Sequence, residues 1–564
     1  MISVSGKEWT ERKINKNSIE KLKQDFKFSD ILAKLIISKN YDNSEIYNIN
    51  NNIEITNHFV NNDDFNKAAD LLISAIRNKD NICIIGDYDV DGSAATSLFV
   101  RFLNHLNHPN FYYIPDRVKD GYGASKKIFK KLIQKKPKLI IMVDCGSTSN
   151  EGIDFLNQNN IKSLVIDHHE INRPYPKSNT IINPKKNNGY IQYDYFCATT
   201  LTYFFLDILI KKIKSDYNIS NFLIYVLLAT ICDVMPLRKI NKIIAKNVIN
   251  KFQIKKNIAF NTLFELSNKK NKLNIDDLGY FIGPIINSGG RIGISSFGTQ
   301  LLSSDNFKII KRRSTNLIEL NNKRKKIEDN ILKDIDFDKI QRDNNEVIIY
   351  YNKYINEGLI GIIAARLKDY FNKPSIVITN SNNILKGSAR STINYNIGHL
   401  ITKLRDKKII ISGGGHNMAA GFTISKNKIK ILEDFILKDY SKKKIDLNFL
   451  NKYDAEISPS AIKRNILSEI NKLEPFGNQN TSPLFLLKRL KVIKKTVLNN
   501  KHISVILKPQ IGLSITSICF NCINTNIGNY LITYKKDINV IAQIQENIWN
   551  NKKSIQLIIK DIIL

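Results

Sequence analysis

Along the first third of the chain, hydrophobic residues come in short, dense runs separated by stretches of helical spacing. From Asn81 to about Pro184 the runs NICIIG, FYYIP, KLIIMVDCG and KSLVIDHH alternate with helical patterns that begin at Ser93 and near Lys126. Strand, helix, strand in that rhythm predicts a parallel sheet with crossover helices, an α/β domain. From about Cys197 to Asn287, apolar residues recur at helical spacing with few turn signals, which predicts helices packed on that sheet. The charged stretch from about Phe307 to Phe337 contains no Gly or Pro and reads as one long exposed helix joining two lobes. Beyond it, EVIIYY, GIIAARLKDYF, PSIVIT, ILKGSARS and ISGGGHNMAAGF predict a second, smaller α/β unit. After about Asp454 come a helix and the strand-like runs LKRLKVIKKTVL, HISVILK, SITSICF, INVIAQI and SIQLIIKDIIL, a pattern that suits a small closed β-barrel. The expectation is a multidomain α/β protein: an N-terminal helical segment over 1–70, a parallel-sheet domain over 71–300, a connecting helix over 301–340, a smaller α/β domain over 341–445 and a barrel over 446–564.

Length agrees, because 564 residues exceed what one hydrophobic core serves. With 43% hydrophobic and 24% charged residues the composition is that of folded protein. No apolar run reaches the ~18 to 20 residues that span a bilayer, and the start MISVSGKEWTERK lacks a signal peptide's apolar segment, so a cytoplasmic protein is expected. Cys83, Cys145, Cys197 and Cys232 are scattered singly through apolar stretches, as buried thiols are. Cys519 and Cys522 form a CxxC, but SITSICFNCI reads as a strand in which residues three apart face opposite sides, so no zinc site is expected. Net charge is +33, from 85 Lys+Arg against 52 Asp+Glu, and a surface this basic attracts polyanions. Lys, Asn and Ile all have A/T-rich codons, however, so charge alone does not decide for nucleic acid.

The chemistry is concentrated at strand ends. In GDYDVDG, Asp87, Asp89 and Asp91 directly follow the apolar run Ile82 to Ile85, and carboxylates so crowded repel each other unless a cation lies among them. IIMVDCG delivers Asp144, and SLVIDHHE delivers Asp167, His168 and His169. In a parallel sheet these ends lie side by side, where open α/β sheets bind ligands. Carboxylates with imidazole suit Mn²⁺ and accept Mg²⁺. Asp233, at the end of the apolar run VLLATICDVMPL, needs a partner to offset burial, and a metal would serve. Several carboxylates together suit two divalent cations and in-line displacement at phosphorus.

The motifs GDYDVDG, VDCG, DHHE and CDVMP resemble the four successive motifs of the DHH phosphoesterases. The likeness continues through PDRVKDGYG, NSGGRIG, GSARS, GGGHNMAAG and LEPFGNQN, in the order found in the family's single-strand-specific exonucleases, and covers the chain from about residue 80. It implies that Asp89, Asp91, Asp144, His168 and Asp233 bind two Mn²⁺ or Mg²⁺ ions, that Asp87 assists as a ligand or neighbouring acid, that Asp167 orients a histidine and that His169 contacts the scissile phosphate. It further implies substrate-binding roles for Arg117 and Tyr122 in PDRVKDGYG, Arg291 in GGRIG, and Ser388 with Arg390 in GSARS. Gly413, Gly414, Gly415 and His416 resemble a nucleic-acid-binding turn, and the barrel resembles an OB fold carrying Lys488, Arg489, Lys491, Lys494 and Lys495.

The activity that this resemblance implies is a 5′ to 3′ exonuclease on single-stranded DNA in recombination and repair, monomeric, away from membranes, with a helicase and a single-strand-binding protein as candidate partners. Two alternatives stand beside it. A DHH enzyme for short RNA or cyclic dinucleotides usually stops before the barrel, and a non-catalytic replication factor loses the ligands that this chain keeps. The chain departs from the family at Asn356, where relatives usually carry His, in CATTLTYFF, which lacks a glycine, and in RKINK after Asp233, which lacks an acidic residue.

Overall fold

The computed structural model describes residues 1–51, 54–117, 119–121, 123–186, 190–269, 272–381, 384–393, 395–442, 450–534, 536–549 and 552–564. They form two compact units: Met1–Ile55 with Pro236–Lys246 and Leu447–Leu564, and Thr56–Met235 with Asn247–Asp446. The chain opens in the smaller unit with β1 (Trp9–Glu11), α1 (Lys16–Phe26), α2 (Asp30–Ser38) and α3 (Asn43–Asn50). Each helix begins on a side chain that accepts from a free backbone N–H, Asn15, Ser29 and Asp42 in turn, the last in a reciprocal capping box with Glu45.

In the larger unit α4 (Asp63–Arg77) precedes β2 (Ile82–Gly86), α5 (Val90–His105), β3 (Asn110–Tyr113), α6 (Lys126–Leu132), β4 (Leu139–Val143), α7 (Asn150–Gln158), β5 (Lys162–Ile166) and β6 (Thr180–Ile182). The five strands make an all-parallel sheet of order β3-β2-β4-β5-β6, as the alternating pattern predicts. Every residue of β2 and β4 is buried, which is why both read as unbroken apolar runs. In register, Gly86 pairs with Val143 and Val143 with Ile166, so the residues that follow these three strands emerge side by side at the sheet's carboxyl edge.

Helices α8 (Ala198–Ile213), α9 (Leu223–Cys232), α10 (Lys239–Lys251), α11 (Ile258–Leu266), α12 (Gly283–Ile292) and α13 (Phe297–Ser303) follow. The long helix is α14 (Phe307–Asp334), and it is not exposed all round: Ile310, Ser314, Leu317, Asn321, Arg324 and Glu328 are buried at heptad spacing. Four of those six residues are polar, and three of the four, Asn321, Arg324 and Glu328, are hydrogen-bonded. Arg324 donates to Asn321 at 3.1 Å and to Glu328 at 2.7 Å, and Arg366 donates to the other Glu328 oxygen at 2.7 Å. A hydropathy pattern takes such a stripe for a solvated face.

After α15 (Phe337–Asp343), the second sheet is built of β7 (Ile348–Tyr351), β8 (Ser375–Ser381), β9 (Ile384–Arg390), β10 (Ser412–His416) and β11 (Ala419–Ile424), with α16 (Ile360–Phe371), α17 (Ile397–Asp406) and α18 (Ile429–Lys442). Its order is β10-β11-β9-β8-β7, parallel only between β7 and β8. The glycines of GGGH therefore lie in an edge strand, not in the expected turn.

The smaller unit closes with β12 (Asn451–Tyr453), β13 (Ala455–Glu456), α19 (Arg464–Asn471), β14 (Phe485–Leu498), β15 (His502–Pro509), β16 (Ile515–Cys519), α20 (Asn526–Thr533), β17 (Ile538–Trp549) and β18 (Lys552–Ile563). The ladder runs β13-β14-β15-β16-β18-β17, and a further β14–β17 pairing closes it into a barrel. The N-terminus belongs to this unit: β1 pairs with β12, and Trp9 Nε1 donates to buried Asp561 at 2.9 Å. β16 ends at Cys519, so Cys522 lies in the next turn and its thiol faces the Cys519 carbonyl at 3.1 Å. The two cysteines thus do not project to opposite sides of one strand, and both are buried. Among the described residues they join no group able to hold a metal.

Candidate metal centre

Three loops at the carboxyl edge of the parallel sheet and the end of α9 bring eight polar side chains together. After β2, Asp89 caps α5 by accepting from Gly92 N at 3.1 Å, and Asp87 accepts from Tyr88 N at 2.8 Å. Gly92 is required here, because a Cβ would stand 2.4 Å from Asp87 N and O. Asp91, in the first turn of α5, is gripped by the start of α8: its two oxygens accept from Ala198 N at 2.7 Å and Thr199 N at 2.8 Å. After β4, Asp144 adopts a left-handed backbone (φ 59°), a conformation that Asp tolerates better than most residues. Asp233 terminates α9, with Val234 left-handed after it (φ 55°).

The centre of the cluster is His168. Its Nε2 lies 3.4 Å from Asp144 Oδ1, 3.4 Å from Asp233 Oδ2 and 3.8 Å from Asp91 Oδ2. Three sets of atoms, each within 4.8 Å of one another, could hold a metal ion: Asp87, Asp89 and Asp144; Asp91, His168 and Asp233; and Asp144, His168 and His169. Asp144 Oδ1 and His168 Nε2 are buried without a hydrogen-bond partner. Two such orphans facing each other at 3.4 Å are costly unless a cation satisfies both. Electrostatics agree. Burial and neighbouring carboxylates push Asp87 up to about 7 and raise Asp89, Asp144 and Asp233. Burial and the charge of His169 push His168 down to about 4, which leaves the neutral imidazole that ligates metals. The donor set of carboxylates and one imidazole fits Mn²⁺ or Mg²⁺.

His169 is of another kind. Its Nδ1 donates to Asp167 Oδ1 at 2.8 Å, and that oxygen also accepts from His168 N at 2.8 Å and His169 N at 3.2 Å. Burial works to lower His169, but the Asp167 carboxylate more than offsets it and raises the imidazole to about 9. Asp167 is correspondingly held below the usual carboxylate range, against its own burial, by His169. With Nδ1 committed to Asp167, we read His169 as an imidazolium donor, although its ring atoms also fall within ligand distance of Asp144. His416 of β10 stands beside it, ring centroids 6.1 Å apart and planes 20° from parallel. A Cβ at Gly414 would meet nothing within 4 Å, so the β10 backbone is bare on that side.

Arg117, Arg291 and Arg390 form a second cluster. The Arg117 guanidinium lies 4.3 Å from the centroid of Tyr88, the residue between Asp87 and Asp89. Arg291, in the last turn of α12, donates to Gly358 O at 3.2 Å, and Arg390 donates to Ser388 Oγ at 3.2 Å. Burial and then mutual repulsion push Arg291 down to about 10 and lower Arg390. None of the three makes an ion pair among the described residues, and Arg117 Nε is buried without a partner. Three cations lacking a counter-ion suit a phosphate. The start of α16 fits tightly against them: a Cβ at Gly361 would lie 2.9 Å from Arg390 Nη2, and one at Gly358 2.1 Å from Arg291 O. Asn356 Oδ1 accepts from Gly358 N at 2.8 Å, so the departure from His serves the local turn before α16. Tyr122 lies outside the described residues.

Pattern reading missed Asn183, fully buried just after β6. Its amide donates to Ser147 Oγ at 2.8 Å and His169 O at 2.9 Å, tying the loop after β4 to the loop after β5. The only signal was a polar residue between an apolar strand and Pro184. Asn183→Ala is expected to weaken Mn²⁺ affinity about 10- to 100-fold, the usual effect of losing support behind a metal site. Mn²⁺ titration checks this, and wild-type affinity would remove Asn183 from that role.

Comparison with known proteins matches three family models in order: the DHH family N-terminal domain over 81–231, the DHHA1 domain over 344–441 and the RecJ OB domain over 453–561. The single-stranded-DNA-specific exonuclease RecJ of Bacillus subtilis (strain 168) is 25% identical over 568 residues, covering 98% of this chain and 70% of that protein. The protein of the same name from Haemophilus influenzae is 27% identical over 520 residues, covering 87% of this chain and 89% of that one. Among solved structures, RecJ from Thermus thermophilus in complex with Mn²⁺ superposes with a TM-score of 0.81 at 19% identity, over 99% of this chain and 79% of that one. The chain thus carries a DHH domain, a DHHA1 domain and a RecJ OB domain in that order, and it is similar to RecJ exonucleases over most of its length.

Proposed function

We propose that the protein is a metal-dependent exonuclease that removes 5′-mononucleotides from the 5′ end of single-stranded DNA. The observation that carries the hydrolytic part is the orphaned pair Asp144 Oδ1 and His168 Nε2 within a ring of raised carboxyls. Asp89, Asp91, Asp144, His168 and Asp233 would hold two Mn²⁺ or Mg²⁺ ions, with Asp87 beside them. Bound there, the cations supply Lewis acidity at the phosphorus centre. The chain's own groups do the rest. His169, charged and fixed by Asp167, offers its remaining N–H to a phosphoryl oxygen. Arg117, Arg291, Arg390 and Ser388 bind a terminal phosphate and so set direction, while the open backbone of Gly414, with Gly415 and His416 after it in β10, approaches the chain of phosphates. Lys488, Arg489, Lys491, Lys494 and Lys495 are exposed along β14 and would track a single strand.

The relatives' names support single-stranded DNA as the substrate, and the RecJ OB domain speaks against a short-RNA or cyclic-dinucleotide enzyme. No helix among the described residues is long and apolar enough to cross a membrane. We further infer a cytoplasmic monomer to which a helicase and a single-strand-binding protein would deliver substrate.

The direct test is digestion of 5′- and 3′-labelled single and double strands with Mn²⁺. Mononucleotides should leave first from the 5′-labelled single strand, and release from 3′ ends or equal cutting of duplex would defeat the proposal. Arg390→Ala should weaken binding about 10- to 100-fold, because a charge-assisted contact of ~1.5–3 kcal/mol is lost. It should also make the salt dependence shallower by about 0.7 in log–log slope. An unchanged slope would take Arg390 off the phosphate.

A further inference from the structure

The smaller unit holds a small cavity of about 30 Å³ that is no part of the metal centre, lined by Glu45 and Asn48 of α3, by Lys239, Lys242 and Lys246 of α10, and by Lys472 just past α19. Positions 239, 242 and 246 fall on one face of α10, so three ammonium groups line the same wall. Glu45 does not neutralise them. Its carboxylate is taken by Arg238, from Nε at 2.6 Å and Nη2 at 2.5 Å, and by the backbone N–H of Lys239 at 3.1 Å. The other acid on the wall, Glu474, is raised by burial and then by Glu546, which weakens it as a counter-ion. Lys472 is paired with Glu469 at 2.6 Å, and Lys239 stands 3.8 Å from Asp42. Lys242 and Lys246 make no ion pair among the described residues.

Lys242 is held in place without being satisfied. Its ammonium donates to the Tyr41 hydroxyl at 2.7 Å and lies 4.5 Å from that ring's centroid, while the Arg238 guanidinium lies 4.8 Å from the same ring. Burial, followed by crowding from Arg238 and Lys246, pushes Lys242 down to about 7, against the pull of Glu45. On the α3 wall, Asn48 Oδ1 is buried with no hydrogen-bond partner. The cavity thus offers uncompensated ammonium donors on one side and an unused acceptor on the other. An internal phosphodiester supplies only acceptors. A phosphomonoester, ionised toward the lysines and keeping one P–O–H, meets both needs.

We propose that this cavity binds a phosphomonoester, either inorganic phosphate or the terminal phosphate of a mononucleotide, through Lys242, Lys246 and Asn48. Full-length protein is titrated calorimetrically with orthophosphate and, separately, with a 5′-mononucleotide, at constant ionic strength. Wild type should show a site that Lys246→Met weakens at least about tenfold. Arg390→Ala should leave that site intact, which separates it from the arginine cluster and from the fate of the exonuclease proposal. Equal affinity for the two ligands assigns inorganic phosphate, and tighter mononucleotide binding assigns a nucleotide; either supports the proposal. Crystals soaked in tungstate should add a peak between Lys242 and Lys246 that Lys242→Met removes. Identical titrations in wild type and Lys246→Met, or no tungstate in that cavity, would overturn it.

Discussion

Asp144→Ala is expected to lower the rate of strand hydrolysis by at least about a thousandfold while leaving single-stranded DNA affinity within about threefold of wild type. Asp144 belongs to two of the three atom sets able to hold a cation, and its Oδ1 is one of two buried orphans that face each other. Removing it strips a ligand shared between those sets, and a rate factor of a thousand needs only ~4 kcal/mol of lost transition-state stabilisation. Metal ions at phosphoryl oxygens supply several kcal/mol of charge stabilisation. Binding survives because the arginines that would hold phosphate stand on other elements, β9, α12 and the loop after β3. Single-turnover cleavage and fluorescence anisotropy on one labelled oligonucleotide measure both. Hydrolysis within tenfold of wild type would remove Asp144 from the metal centre, and a parallel collapse of binding would mean the substitution had damaged the fold.

Much of this centre is legible in the sequence because its chemistry follows short, fully buried strands. An unbroken apolar run such as ICIIG or LIIMV identifies a strand covered on both faces, and polar residues directly after it must lie at the sheet's edge. That places Asp87, Asp144 and His168 together without a contact map. The features that stayed hidden depend on partners remote in sequence. Nothing in DVDG announces that Asp91 will be held by the first turn of α8, over a hundred residues on. Asn183 joins two loops through its amide, and a single buried amide has no periodicity. In α14 the buried stripe is built partly from Asn321, Arg324 and Glu328, whose pairing with each other and with Arg366 reverses the usual reading of charge as solvent-facing. The N-terminal helices looked separate for the same reason, since the Trp9 to Asp561 bond spans the whole chain. At the CxxC, strand spacing was carried past the point where β16 stops.

The carboxylates that make Asp144 valuable also make it a liability without a cation, and the two effects have opposite signs in one variant. Asp87, Asp89, Asp144 and Asp233 all have folded-state pKa values raised above the ordinary carboxylate value, chiefly by burial and then by one another. An acid raised in the folded state binds more protons folded than unfolded, so stability falls as pH climbs from the ordinary carboxylate range through the raised values. For Asp87 that window runs from about 4 to about 7. As far as this cluster decides, metal-free protein should therefore melt lower at pH 7.5 than at pH 5, and Mn²⁺ should restore more at the higher pH. Ligand at a hundred times its dissociation constant adds ~2.7 kcal/mol, enough for a rise of roughly 3 to 4 °C in a unit of this size. Asp144→Asn keeps the side chain's shape and removes one of the repelling charges. Its metal-free form should melt above wild type at pH 7.5, and its response to Mn²⁺ should shrink to a small fraction of the wild-type rise. Thermal melts of both proteins at the two pH values, with and without Mn²⁺, measure each of these effects. A variant that melts lower than wild type without metal, yet answers Mn²⁺ in full, would mean that Asp144 is an ordinary buried acid and that the cation lies elsewhere.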